Sequence, residues 1–357
     1  MAKTSAKITL PNLTFYFQSK RASVDPNTPA QLVKFIQGAR KSLDVAIYDL
    51  KEPSVLAALK TAAGKVKLRI RYDAGKGGSV GAKSRTVDPK ASTGGAIVAA
   101  GLKGVSTAIT ESGHLMHNKF IVRDNSTVWT GSGNFTNGGL TLQDNNYMVI
   151  DSAPMAKTYS TAFDELTATG KGPRPAKRPT QVTVGKVKFT VRFTTQARET
   201  EDIEQSIAAA LKGARKLRLA AMLVSDPGLL QSLFDLKTGD IQGVLDPNEM
   251  KVVMKPPRGK SKIDPKLFWF ANGDPRFVAA PAHAFSPTDK NDFMHNKLMV
   301  IDDRIVVTGS YNFSENAEKN AENMIIIESP QVAKAYSAYF DALFAQYKKR
   351  GAPLPPR

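Results

Sequence analysis

Apolar and polar positions along this chain follow two periods that take turns. Leu13-Thr14-Phe15-Tyr16-Phe17 is an apolar, aromatic-rich run that predicts a strand. Asp25-Pro26-Asn27-Thr28-Pro29 reads as a loop and helix start. From Gln31 to Lys41, apolar residues at 32, 33, 35, 36 and 39 predict an amphipathic helix. Residues 43–48 are the next strand, Pro53 opens a helix through Lys60, and residues 66–72 return to strand. This β-α-β-α-β order predicts parallel pairing and an α/β sandwich.

The second half replays the first. Residues 187–193 predict a strand and 203–212 a helix, after which Gly213-Ala214-Arg215-Lys216 answers Gly38-Ala39-Arg40-Lys41. Residues 217–224 answer 43–50, and Asp226-Pro227 opens a helix as Glu52-Pro53 does. The period is far too long for a solenoid. The pattern predicts two similar α/β sandwich lobes from an internal duplication, each with a mixed, largely parallel sheet flanked by helices. The lobes are expected at 1–169 and 184–349. Residues 170–183 between them hold Gly170-Lys171-Gly172-Pro173-Arg174-Pro175-Ala176-Lys177-Arg178-Pro179, a Pro-rich basic linker. Residues 350–357 are expected to form an extended, mobile tail.

The strongest repeat is chemical. His117-Asn118-Lys119-Phe120-Ile121-Val122-Arg123-Asp124 precedes Gly131-Ser132-Gly133-Asn134. His295-Asn296-Lys297-Leu298-Met299-Val300-Ile301-Asp302 precedes Gly309-Ser310-Tyr311-Asn312. The two histidines lie 178 residues apart with matched downstream spacing, which chance does not supply as it supplies a lone HxK. The apolar run after each Lys predicts a buried strand. Alternation along it puts His and Lys, two apart, on one face. Asp124-Asn125 and Asp302-Asp303 read as turns. A second strand, 127–130 or 304–308, ends in a Gly-Ser loop that carries Asn134 or Asn312 back to the same end. Each half then gathers an imidazole, an ammonium and an amide, a set suited to phosphate. A phosphodiester needs two histidines, one to attack phosphorus and one to protonate the leaving oxygen. The halves are therefore expected to face each other about a pseudo-twofold axis, with the active site at their interface.

These residues resemble the phospholipase D superfamily, whose HxK-x4-D-x6-GSxN pattern stands here twice. Its members include phospholipases D, phosphatidyl transferases, tyrosyl-DNA phosphodiesterases and metal-independent nucleases. The resemblance implies that one His becomes a transient phosphohistidine while the other is acid, then base for water. It implies that Lys119, Lys297, Asn134 and Asn312 hold the non-bridging oxygens, with no metal and no cofactor. Family members often place a carboxylate after GSxN that reaches the opposite half's histidine. The second half has Glu322 before Asn323; the first has Asn145 before Asn146, in a loop one residue longer. That implies Glu322 behind His117, the nucleophile, and Asn145 behind His295, the general acid. Asp144 substitutes for Asn145 if the loop shifts.

Charge narrows the partner. A formal net charge of +18 and a pI near 9.8 favour polyanions, either nucleic acid or an anionic membrane surface. A merely solvated basic surface is the alternative. Lys76, Lys83, Arg85 and Lys90 fall between the third strand and the motif of the first half; Arg258, Lys260 and Lys262 do so in the second. Paired placement makes them candidate contacts to a phosphate backbone; solvated loops are the other reading. Cysteine is absent, so disulfides and thiolate metal sites are excluded. Two of the four histidines sit in the motifs, leaving His114 and His283.

No apolar run approaches the roughly 20 residues of a membrane span. Residues 8–13 are too short and broken for a signal sequence. A monomer in the cytoplasm is expected, since both motifs share one chain. Asp124 and Asp302 read as turn braces, and Ser132 and Ser310 as either phosphate donors or loop formers. Trp269 either stacks a base or belongs to the core. The expected function is a metal-independent phosphodiesterase, a nuclease acting on DNA or RNA. A phospholipase D or phosphatidyltransferase is the first alternative, and a non-catalytic nucleic-acid binder the second. Two intact His, Lys and Asn sets argue against the latter.

Overall fold

The computed structural model describes residues 4–74, 92–109, 114–167, 180–194, 203–236, 239–255, 267, 270, 273–281, 291–350 and 354. The strands of the first lobe are β1 (Lys7–Leu10), β2 (Leu13–Gln18), β3 (Ser42–Ile47), β4 (Lys67–Asp73), β5 (Ser106–Ile109), β6 (Lys119–Arg123), β7 (Thr127–Gly131) and β8 (Asn145–Asp151). Its helices are α1 (Thr28–Gln37), α2 (Pro53–Ala63), α3 (Thr93–Ala99) and α4 (Ala153–Glu165). The second lobe opens with β9 (Gln181–Val184), β10 (Val187–Thr194), α5 (Ile203–Leu211), β11 (Lys216–Ala221) and α6 (Pro227–Phe234). It continues with β12 (Asp240–Leu245), α7 (Pro247–Val253), β13 (Phe277–Ala279), β14 (Lys297–Ile301), β15 (Ile305–Gly309), β16 (Glu322–Glu328) and α8 (Pro330–Arg350).

Each lobe builds an eight-stranded mixed sheet. The orders are β1-β2-β8-β7-β6-β3-β4-β5 and β9-β10-β16-β15-β14-β11-β12-β13, identical strand for strand. The duplication read from sequence therefore extends to topology. The expectation of a largely parallel sheet is corrected. Parallel pairing is confined to β3-β4-β5 and β11-β12-β13, and every other pair is antiparallel. Helical crossovers enforce the parallel part. The motif strands are joined by tight turns, which force reversal. Asp124-Asn125 and Asp302-Asp303 all have positive φ, between 50° and 54°, as hairpin turns matched to strand twist require. The first predicted strand also lies elsewhere than the helical pattern implied: β2 pairs with β8, across the sheet from β3.

The molecule stacks five layers. The outer face of the first sheet is covered by α1, α2 and α3 through Leu32, Phe35, Leu56, Leu59 and Ile97. The second sheet is covered likewise by α5, α6 and α7 through Ile207, Leu229, Leu233 and Met250. Between the sheets lie α4 and α8, two helices the patterning above does not predict. Their side chains share one buried cluster with both sheets. Tyr159 of α4 packs edge-on against Phe120 of one sheet and Phe193 of the other, with centroids 4.9 and 5.2 Å apart. Tyr336 and Tyr339 of α8 pack on Phe17 of the first sheet at 4.9 and 5.0 Å. Such aromatics make the lobes one core rather than two domains touching.

Two expected boundaries shift. Gln181–Val184, expected mainly as linker, is β9 of the second sheet. In the expected tail, Leu354 is 1% exposed within the second lobe's core and donates its N–H to the Phe277 carbonyl. An apolar side chain that can reach a core is held there despite its flanking prolines. The rest of the predicted linker, 170–179, lies outside the described residues.

Candidate active site

The two motifs meet where the sheets abut. His117 and His295 immediately precede β6 and β14, and both are 6% exposed. Lys119 and Lys297 open those strands on the same face, each bending back to donate to its own histidine's carbonyl at 2.6 and 2.8 Å. Alternation turns Asn118 and Asn296 the other way, into the interface. There Asn323 donates to Asn118 Oδ1 at 3.2 Å, and Asn146 to Asn296 Oδ1 at 2.9 Å. Backbone pairing crosses too. His117 N–H donates to the Ala321 carbonyl at 2.9 Å, and His295 N–H to that of Asp144 at 3.2 Å. The exchange is reciprocal, as a pseudo-twofold demands.

Behind each imidazole stands a residue of the opposite lobe. His117 Nδ1 lies 2.9 Å from Glu322 Oε2, and His295 Nδ1 lies 2.9 Å from Asn145 Oδ1. The Asn145 amide donates to the Gly139 carbonyl at 3.0 Å, which fixes its oxygen as the atom facing His295. A neutral imidazole in either place therefore carries its proton on Nδ1 and leaves Nε2 free. Ser132 donates to Asn145 Oδ1 at 2.8 Å and Ser310 to Glu322 Oε2 at 2.6 Å. Both serines thus serve the loops and the residues behind the histidines. Asp144 does not replace Asn145. Its buried carboxyl is turned to the Tyr347 hydroxyl of α8, and only its backbone touches His295.

The extra residue in the first lobe has a visible home. Gly138–Leu142 forms a π-helical turn where the second lobe has the 3-10 turn Glu315–Lys319. A π turn absorbs one inserted residue without disturbing its flanks, so Asn145 and Glu322 stay in register. Asn134 and Asn312 sit half-buried on the Gly-Ser loops. Each has a buried amide oxygen that no described residue satisfies. Asp124 and Asp302 lie at the far ends of β6 and β14, away from the histidines. His114 is half-buried three residues before His117. Lys76, Lys83, Arg85, Arg258, Lys260, Lys262, Trp269 and His283 lie outside the described residues.

Burial sets the electrostatics. Desolvation is the largest influence on His117 and pulls it down to about 4, against the opposing pull of Glu322. Lys119 falls to about 7 for the same reason, with Glu322, Asp73 and Asp49 resisting. His295 and Lys297 are pushed well below their ordinary values by burial and by the neighbouring ammoniums. Burial alone would raise Glu322, but His117, Lys119 and Ser310 together hold it below the usual range. The pocket resists its own positive charge and is built to take an anion.

Asn118, Asn296, Asn146 and Asn323 were assigned no role by the motif reading, yet their amides stitch the lobes. The signal was present, since Asn stands inside both HxK motifs and again after Asn145 and Glu322. Tyr48 is another unforeseen neighbour. Its ring lies edge-on to His117 at 4.9 Å and 5.2 Å from Lys119 Nζ.

Comparison with known proteins gives this geometry relatives. A family model described as "Cardiolipin synthase, PLD-like domain" matches residues 32–167 and again 207–344. A phospholipase D of Rickettsia conorii is 54% identical over 43 residues, 12% of this chain and 22% of its own length. A mitochondrial cardiolipin hydrolase of Xenopus laevis is 31% identical over 85 residues, 21% of this chain and 40% of its own. The matches thus span well under half the length of these relatives. The solved phosphatidylserine synthase of Haemophilus influenzae superposes with a TM-score of 0.63 over 96% of this chain and 88% of its own. At 15% identity that likeness shows a shared fold.

Proposed function

The chain belongs to the phospholipase D-like family, and from that premise we propose a metal-independent phosphodiesterase that hydrolyses nucleic acid through a phosphohistidine. One observation carries the chemistry: each motif histidine is held through Nδ1 by the opposite lobe, His117 by a carboxylate and His295 by an amide. In this reading Nε2 of neutral His117 attacks phosphorus and forms a P–N bond while the P–O bond to the leaving group breaks. His295, as imidazolium, delivers its Nε2 proton to that oxygen. The negative charge of the bound phosphodiester offsets both ammoniums and lets His295 hold the proton. Neutral His295 then takes a proton from water, whose oxygen displaces His117. Lys119 and Lys297 oppose the developing charge on the non-bridging oxygens, with Asn134 and Asn312 beside them. Glu322 stabilises the cationic His117 that exists only while phosphorus is attached.

The substrate argument is electrostatic. A net charge of +18 suits a polyphosphate backbone. No helix among the described residues is long and apolar enough to cross a membrane. The second reading is a phospholipid substrate, favoured by relatives named phospholipase D and cardiolipin hydrolase. Purified protein in EDTA, offered DNA, RNA, cardiolipin and phosphatidylcholine in parallel, separates them. Cleavage of DNA or RNA alone is expected. Turnover of lipid alone overturns the substrate, and activity lost to EDTA and restored by magnesium overturns the mechanism.

A further inference from the structure

Three tyrosines of α8 end on three consecutive residues of the first lobe. Tyr339 and Tyr347 follow Tyr336 by three and eleven residues, on one side of the helix, and all three are buried. The Tyr347 hydroxyl donates to Asp144 Oδ2 at 2.5 Å. That of Tyr339 bridges the carbonyls of Asn145 and Gln18, at 3.2 and 2.7 Å, while accepting from the Asn296 amide at 3.0 Å. Tyr336 reaches Asn146 Oδ1 at 3.2 Å. Residues 144–146 are the segment that holds His295. The Asp144 carbonyl accepts the His295 N–H, its own N–H donates to the Phe293 carbonyl, and Asn145 Oδ1 faces the imidazole. The repeat shows that this support belongs to one histidine only. β8 and β16 align with an offset of 177 residues, which sets Tyr159, Ala162 and Gly170 against Tyr336, Tyr339 and Tyr347. Ala162 and Gly170 have no hydroxyl to offer. Glu322 is held from the sheet instead: Thr194 of β10 accepts its N–H at 2.8 Å and donates to the Asn320 carbonyl at 2.5 Å.

We propose that Tyr339 and Tyr347, the latter through Asp144, are positioning residues for His295: they fix Asn145, which keeps the neutral ring's proton on Nδ1 and its Nε2 free to take a proton from water. All act through Asn145, at the Nδ1 edge of the ring. The kinetic consequence rests on the phosphohistidine reading above. There His295 protonates the leaving oxygen and then, neutral, takes a proton from the water whose oxygen displaces His117 from phosphorus. A good leaving group spares the first task but not the second. Deleting a tyrosine hydroxyl leaves a buried acceptor without its donor and frees the segment. It should therefore slow hydrolysis of the adduct and spare its formation from a nitrophenyl ester. A role in packing alone would slow both steps.

Tyr339→Phe and Tyr347→Phe, in the full chain, carry the test through two readouts. Ring-nitrogen NMR has only four histidines to assign. At neutral pH it should find wild-type His295 protonated on Nδ1. Each variant should move His295 toward a mixture of tautomers and leave His117 unchanged. Rapid quench with the nitrophenyl ester should show adduct formation within about twofold of wild type and adduct hydrolysis slowed about 10- to 100-fold. Should Tyr347→Phe fail to fold, Tyr339→Phe carries both measurements. A His295 ring that keeps its wild-type tautomer in the variants would overturn the proposal, as would equal slowing of the two steps. If the wild-type protein turns over no phosphodiester, the phosphodiesterase reading fails by itself, and the ring spectra still decide the positioning.

Discussion

The two lobes agree strand for strand and disagree one side chain behind each histidine. Glu322 lies behind His117 where Asn145 lies behind His295. Tyr48 flanks His117 and donates its N–H to the Asn118 carbonyl; its counterpart Met222 makes the same backbone bond to Asn296. Even packing has been exchanged across the axis. A Cβ on Gly133 would meet the Tyr147 hydroxyl at 1.9 Å, so the first lobe needs glycine there and anchors Tyr147 on the Gly139 carbonyl. The second lobe carries Tyr311 in the loop and Met324 on the strand instead. Backbone pairings keep the symmetry and side-chain charge breaks it. A duplicated scaffold can thus hold two imidazoles in equivalent positions and still give them unequal proton affinities.

The largest expected effect tests whether the inequality assigns roles. His117→Ala removes the attacking atom and should abolish turnover and adduct with every leaving group. His295→Ala removes proton delivery and water activation. With a nitrophenyl ester, which needs little protonation, it should still form the phosphohistidine and then stall. Mass spectrometry of acid-sensitive phosphopeptides should find the adduct on the His117 peptide. An adduct on the His295 peptide in the His117→Ala protein would reverse the assignment.

Next comes the residue behind each ring. Glu322→Gln leaves His117 without its counter-ion, and kcat should fall about 10³–10⁴-fold, as for other carboxylates behind catalytic imidazoles. Asn145→Asp should act in the opposite sense, because a carboxylate favours imidazolium and raises His295. His117 is held at about 4 with the help of Glu322, and His295, with no carboxylate beside it, is pushed well below its ordinary value. The form with His295 protonated is therefore scarce in the free protein at neutral pH, and kcat/KM should fall as pH rises above about 4. Asn145→Asp, by favouring the His295 imidazolium, should carry that fall to higher pH. Equal effects of Glu322→Gln and Asn145→Ala on kcat would erase the distinction between the lobes.

Much of this was legible in the chain. The period-2 and period-3.6 runs gave β2, β3, β4, β10 and β11 with α1, α2, α5 and α6 to within a few residues. The doubled motif named the atoms that converge. Pairing direction was not legible, because β3 and β6 carry the same apolar run whether their neighbour runs parallel or antiparallel. The middle layer escaped for a related reason: α4 and α8 touch sheets on two sides, so their apolar positions do not form one clean stripe. Ser152 and Ser329, followed by Pro154 and Pro330, were the available start signals. The cross-lobe amide pairs needed the fold, since each partner lies at least 150 residues away.

The smallest effect separates bracing from chemistry in the motif itself. Asp124 accepts the N–H groups of Arg40, Lys41 and Ser42 at 2.6 to 3.1 Å, and Asp302 those of Arg215 and Lys216 at 2.8 Å. Each aspartate clamps its hairpin turn to the segment entering the central strand. Burial works against the Asp124 carboxylate, yet the N–H groups of Ser42, Lys41 and Arg40 hold its pKa below the ordinary value. Stability from that shift is present above the ordinary aspartate pKa and is lost as pH falls through the folded one. Asp124→Ala should therefore cost about 1–3 kcal/mol and Asp302→Ala somewhat less, since fewer donors are stranded. Urea midpoints at neutral pH measure the difference, and it should shrink as the pH approaches 3. Both folded variants should hydrolyse the nitrophenyl ester at near wild-type rate. An Asp124→Ala protein with unchanged midpoint and lost hydrolysis would place this carboxylate in the chemistry and make the far end of β6 part of the site.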